Sequence, residues 1–342
     1  MDDSPLFQTA VPLAEPPARP VVQVDLRPLT TSELIDRGFA LYRAHFAGFL
    51  LLALLSQSAP LLGQILATAC KLNPTQSELL ETPSTFFIKT GVLTAIAFLA
   101  QVIVFCFEVV ITFYIADVYL GKIPSVKKSL QEFMSCAATS IWTCILNRVL
   151  IGLTFLFPAL ALAAIYFYLI FYPPIAFFNL LLVGSAGFVL FVASIAPVLV
   201  VFMRLMLTVP ALALERSSGW KAIKRSNALV RYDPGLGILY WGEMRLSFLL
   251  LPLFIIELLI LSLTSLPLTL HQIGEVMRHG SSGQIAAPPD SIMILSQILT
   301  FLAGSLILPL YSIATTLFYY DIRIRREGFD LEFMSGQLED RT

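Results

Sequence analysis

The sequence predicts an all-α integral membrane protein: a six-span helical bundle with three interfacial amphipathic helices on its cytoplasmic side. Three observations carry that prediction. Of the 342 residues, 57% are apolar and only 13% charged, whereas soluble domains carry about 25% charged residues. Apolar runs exceed the roughly 18 to 20 residues that cross a bilayer. The cationic residues are sorted by position. Seventeen Lys and Arg lie before the first run, after the second, after the fourth and after the sixth, while Lys71, Lys89 and Arg278 are the three in the other connections. The positive-inside rule then places both termini in the cytoplasm, which requires an even number of spans.

Residues 1–26 contain Pro5, Pro12, Pro16, Pro17 and Pro20, begin acidic and have no apolar core. They read as a disordered tail rather than a signal peptide; a Pro-rich docking peptide is the alternative. The membrane domain is read as 27–334, and 335–342 as a disordered C-terminal tail. An amphipathic helix opens the domain over 30–46. Thr30 and Glu33 have capping-box spacing, and Leu34, Gly38, Leu41, Tyr42 and Phe46 share one face.

The spans are expected at about 47–68, 86–119, 140–171, 175–206, 236–266 and 291–320. Pro60 predicts a kink in the first. The second, about 34 residues, reaches roughly 50 Å and must tilt, bend or project into water. Ile123–Ala138 reads as a second amphipathic helix, with Leu130, Phe133, Met134 and Ala137 on one side. Pro173 and Pro174 predict a tight, uncharged hairpin. The stretches 69–85 and 267–290, polar and rich in Pro or Gly and Ser, read as external loops.

The stretch Thr208–Arg231 is where an apolar span gives way to a basic amphipathic helix. Trp220, Ile223, Asn227 and Val230 recur with helical period, while Lys221, Lys224, Arg225 and Arg231 fall off that line. Such a helix is expected in the headgroup plane, against anionic lipid headgroups; a solvated basic loop is the alternative. Its few aromatics argue against nucleic acid.

The three amphipathic helices start near residues 30, 124 and 217, each followed by two spans. Thr112–Asp117 (TFYIAD), Thr208–Glu215 (TVPALALE) and Thr316–Asp321 (TLFYYD) each bring an acidic residue to a cytoplasmic edge. This pattern fits a threefold repeat of interfacial helix, span, span, or else the general similarity of cytoplasmic exits.

Charged residues inside spans are expensive, so they are the first candidates for function. They are Glu108, Arg148, Glu243, Arg245 and Glu257, with Gln101 and Asn147 adding polarity. The deepest are Glu108 and Glu257, and Arg148 is the natural neutraliser of one of them. They read either as a polar pathway for an ion, proton or headgroup, or as structural ion pairs. A second candidate set is a charged rim, in which Asp321, Arg323, Arg325, Arg326 and Glu327 pair with Asp36, Arg37 and Arg225. His45, His271 and His279 form no metal-ligand pattern, and the four cysteines make no C-x-x-C. Phosphate-loop, dinucleotide and nucleophile-elbow motifs are absent. No cofactor, metal or catalytic residue is expected.

Three stretches resemble the membrane domain of bacterial glycerophosphoryl diester phosphodiesterase and its stand-alone multi-pass relatives. Leu29–Phe46 resembles the family's first helix through Glu33, Leu34, Asp36, Arg37, Tyr42, Arg43 and Phe46. Pro210–Val230 resembles its central segment through Pro210, Glu215, Ala222, Arg225, Ser226 and Leu229. Thr315–Glu332 resembles its end through Tyr319, Tyr320, Asp321, Arg323, Arg325, Glu327, Gly328, Asp330 and Leu331. The family's enzyme activity belongs to a soluble barrel domain, and no stretch of these 342 residues corresponds to it. The resemblance therefore implies a bacterial inner-membrane module without that activity. The expected role is a non-catalytic scaffold or accessory module in an envelope- or lipid-related process, with a protein partner at the cytoplasmic face. The competing role is a transporter or lipid-handling permease using the intramembrane Glu and Arg residues. An intramembrane enzyme acting on a headgroup ranks third.

Overall fold

In the computed structural model, residues 27–73, 81–171, 177–231, 242–279, 288–329 and 331 are described. Among them are nine helices and no strand: α1 (Thr31–Ala44), α2 (Phe46–Ala69), α3 (Pro83–Tyr119), α4 (Val126–Phe171), α5 (Phe177–Leu205), α6 (Thr208–Glu215), α7 (Trp220–Val230), α8 (Gly242–His279) and α9 (Asp290–Glu327). Six helical stretches are long and apolar enough to cross a membrane. They are α2, α3, the first 35 residues of α4, Pro197–Glu215 across the α5–α6 junction, α8 to Arg278, and α9.

The long helices form a ring in which each touches the next: α2, α3, α4, α5, α8, α9 and back to α2. The short helices close one end of it. α1 packs on α8 and α9, α6 on α3 and α9, and α7 on α5 and α6. The core is concentrated at that end. Val109–Asp117 of α3 and Ser312–Ile322 of α9 are buried at every position. A helix buried on one face cannot show unbroken burial, so both ends are surrounded by neighbours. Tyr119 and Tyr320 stack at 4.9 Å where the two helices finish side by side. At the opposite end α3 has no buried residue between 83 and 99. Helices apolar all round without protein neighbours are matched to a lipid surround.

Local chemistry explains the short elements. Thr30 caps α1: its side chain accepts the Glu33 amide while the Glu33 carboxylate accepts the Thr30 amide at 2.8 Å. Those contacts hold the Glu33 carboxyl below its ordinary value, chiefly through the Thr30 backbone amide, then the Thr30 hydroxyl, with Arg27 assisting. Leu34, Gly38 and Tyr42, four residues apart, form the buried face. Gly38 faces Ile313 and Leu317 of α9. Before α7, Gly219 sits at φ 56°, ψ −124°, where an L side chain is strained, and its amide donates to the Thr143 hydroxyl of α4 at 2.8 Å.

Three sequence readings change. Ile123–Ala138 is not a separate helix, because α4 runs unbroken from Val126 to Phe171. Nothing between 134 and 145 breaks it: MSCAATSIWTCI holds neither Gly nor Pro. The expected loop at 267–290 begins later, since α8 continues through Pro267 to His279. A proline costs a helix one hydrogen bond and a bend, and the helix-forming residues after it resume the pattern. The α7 face is turned: Ala222, Ile223, Ser226, Leu229 and Val230 are buried, while Trp220 is 51% exposed. The small Ala222 and Ser226 permit close approach, and the Ser226 hydroxyl donates to the Arg204 carbonyl at 2.6 Å. The two terminal tails and the Pro173–Pro174 hairpin lie outside the described residues.

Candidate functional site

Two polar regions are built from residues distant in sequence: a charged network at the packed end, and a cleft in the apolar section.

Asp321 is the node of the first. It sits near the end of α9 with a 1% exposed side chain, a position tenable for a carboxylate only with full pairing. Arg245 of α8 donates to it at 2.9 Å, and Arg325, one turn on, at 3.0 Å. The Leu29 amide donates to it at 2.8 Å. The Leu29 carbonyl in turn accepts from Arg245 at 3.2 Å and Arg325 at 2.6 Å. The backbone of one residue ahead of α1 is thus held at its amide by α9 and at its carbonyl by α8 and α9.

A second group surrounds Glu215, at the end of α6. Arg225 of α7 donates to Glu215 at 2.8 Å and to Glu327 at 2.7 Å. Arg323 donates to Glu327 at 3.0 Å and lies 3.9 Å from Glu215. The Tyr319 hydroxyl donates to Glu215. Arg323 also lies over the Phe329 ring at 4.4 Å. Arg326 donates to the Ala228 and Arg231 carbonyls, each at 3.0 Å, and so satisfies free acceptors at the α7 C-terminus. Elsewhere at this end, Asp117 of α3 accepts from Lys128 of α4 at 2.9 Å. All three acidic residues that close the TFYIAD, TVPALALE and TLFYYD stretches are paired with cations.

The five charges read as one intramembrane set are separated. Arg245 belongs to the Asp321 node. Glu243 accepts from Arg204 of α5 at 2.6 Å, also at the packed end. Glu108 is half-buried on α3 within electrostatic reach of Arg148 on α4. Beside it, Arg148 Nε and Asn147 Oδ1 are buried and have no hydrogen-bond partner. Glu257 is on α8, away from the others. Of the expected rim residues, Arg225, Arg323 and Glu327 meet beside Glu215, whereas Asp321 pairs with Arg245 and Arg325 in the separate node. Arg37 instead lies over the Tyr119 ring at 5.8 Å. Asp36 is exposed.

Glu257 accepts the Tyr311 hydroxyl at 2.7 Å across the α8–α9 seam. The two residues line an open cleft of about 160 Å³ between α2, α8 and α9, together with Gln57, Thr264 and Thr300 and with apolar Ile260, Ala303, Ile307 and Leu308. Gly304 faces the Gln57 side chain, and a Cβ there would meet its amide at ordinary contact distance. Among the described residues no group of three or more His, Cys, Asp and Glu could hold a metal ion.

Tyr311, Gln57 and the Leu29 peptide were missed in the sequence. A tyrosine in an apolar run gives no sign of a carboxylate facing it, and a backbone group carries no residue signal. Comparison with protein-family models, curated proteins and solved structures finds no match for the chain.

Proposed function

We propose that this multi-pass membrane protein is a non-catalytic scaffold or accessory module of the bacterial inner membrane, related to the membrane domain of glycerophosphoryl diester phosphodiesterase and serving an envelope- or lipid-related process. The observation that carries the reading is the Asp321 node, where three sequence-distant segments share one buried, fully paired carboxylate. Such a node holds a surface in shape, and its own carboxylate is engaged in pairing rather than proton transfer. In this reading the packed end faces the cytoplasm, as the distribution of Lys and Arg favours. Lys221 and Lys224 are exposed on α7 beside the exposed Trp220, a composition suited to anionic headgroups. The order of the ring, three sequential hairpins side by side, supports the three span pairs of the repeat, although the second interfacial helix is the leading part of α4.

The test is recovery of the intact protein from its native membrane in mild detergent, followed by mass spectrometry of bound proteins and lipids. The proposal expects a stoichiometric protein partner, and expects co-purified anionic lipid to fall when Lys221 and Lys224 are replaced by Gln. Recovery as a single species with catalytic or transport activity of its own overturns it. The Glu257 cleft favours a second reading, a lipid-handling permease. That reading expects solute or lipid flux in reconstituted vesicles that Glu257→Gln abolishes.

A further inference from the structure

We propose that the cleft beside Glu257 binds a primary ammonium group carried on a short apolar stem. Most of the cleft's hydroxyl hydrogens are already committed. The Tyr311 hydroxyl hydrogen is committed to Glu257. The Thr264 hydroxyl donates to the Leu261 carbonyl at 3.1 Å, and the Thr300 hydroxyl to the Ser296 carbonyl at 2.9 Å. Each of these oxygens therefore turns only lone pairs toward the cleft. Tyr311 occupies one Glu257 oxygen. Among the described residues the spare donor is the Gln57 amide, which brings an acceptor with it, and no basic side chain lines the cleft. The carboxylate and the tyrosine oxygen beside it await a group that is positively charged and rich in N–H.

Depth sharpens the requirement. Glu257 is twelve residues beyond Arg245 and Tyr311 ten before Asp321. At about 1.5 Å per residue, the cleft lies roughly 15 to 18 Å from the charged end, near the middle of a hydrocarbon core about 30 Å thick. A carboxylate there needs a counter-charge or a proton. Volume selects among cations. A bare ion fills little of a space of about 160 Å³, whereas an engineered cavity of about 150 Å³ accommodates a molecule the size of benzene. An aminoalkyl group fits both halves: the ammonium on the Glu257 and Tyr311 oxygens, and the methylenes on Ile260, Ala303, Ile307 and Leu308. Binding is distinct from transport, so failure of the permease reading leaves this inference standing.

The experiment uses the full chain in neutral detergent at neutral pH, with thermal unfolding followed as hexylamine is titrated. Hexanol controls for the stem and tetramethylammonium chloride for the charge. The expected result is a saturable rise in Tm with hexylamine alone, with apparent affinity at least about tenfold weaker in Glu257→Gln. Ala303→Leu keeps the carboxylate and fills the space, and is expected to weaken binding likewise; it decides the matter if Glu257→Gln does not fold. An equal response to hexanol overturns the proposal in favour of an apolar site. A rise produced by NaCl that excludes hexylamine overturns it in favour of an inorganic cation. A hexylamine response identical in the parent and both variants overturns it outright.

Discussion

The carboxylate of Asp321 accepts the backbone amide of Leu29 at 2.8 Å across 292 residues of chain. The same carboxylate takes the Arg245 guanidinium at 2.9 Å. The start of the helical domain, its fifth long helix and its last are therefore fastened at one point.

Asp321→Asn tests that fastening. The amide keeps the shape and leaves Arg245, 14% exposed, without its counter-charge. Removing one partner of a buried pair costs about 3–5 kcal/mol. The expected outcome is a loss at the lower end of that range, since Arg325 is freer to reach water. Thermal or denaturant unfolding in detergent measures it, and an unchanged midpoint would falsify the node as a stabilising element.

Arg225 bridges Glu215 and Glu327, all three part-exposed. Its pairing is thus screened more than that of Asp321. A double-mutant cycle on Arg225→Gln and Glu327→Gln is expected to give a coupling of about 0.5–1 kcal/mol that shrinks in high salt. A coupling of zero would mean that the network's geometry contributes nothing to stability.

Gly48 of α2 lies against the Tyr114 ring: a Cβ would stand 2.8 Å from the ring's Cζ and overlap its hydroxyl. Tyr114 is buried and packs edge-on against Phe49 at 5.1 Å. Gly48→Ala therefore forces the ring aside. The expected cost is about 1–3 kcal/mol from overpacking, partly recovered in Gly48→Ala/Tyr114→Phe, where the hydroxyl is gone. Comparing the two unfolding midpoints checks it.

Glu33 gives a pH dependence of known sign. Its folded pKa lies below the ordinary 4.5, so its contribution to the cap of α1 is complete above that value. It is lost as the pH falls through the depressed folded value. Hydrogen exchange at the Thr30–Leu34 amides is expected to accelerate in that acid range beyond the intrinsic pH trend. In Glu33→Gln the extra acceleration should vanish; its persistence would assign the effect to another group.

What the sequence revealed and concealed follows from the range of each interaction. The Thr30–Glu33 cap is three residues wide, and the spacing announces it. The Arg225–Glu327 pair was legible because both residues flank apolar runs at the same end. Arg245 was not, because seen alone within a mostly apolar run it resembles an intramembrane charge; only its meeting with Asp321 and Leu29 makes it part of the rim. The buried face of α7 was misread because the large Trp220 suggests a buried stripe more strongly than the small Ala222 and Ser226, although small size is what close packing selected. The Glu257–Tyr311 contact joins two helices whose relative rotation no residue pattern specifies.

The Leu29 grip also fixes an order in time. The chain is made from residue 1 onward, so Leu29 and Arg245 exist before Asp321 is synthesised. The last long helix completes the rim. Until it arrives, Arg245 lacks its carboxylate and the Leu29 amide lacks its acceptor. A nascent chain halted before residue 321 would present an open, unfastened intermediate, the state a membrane quality-control protease is suited to recognise.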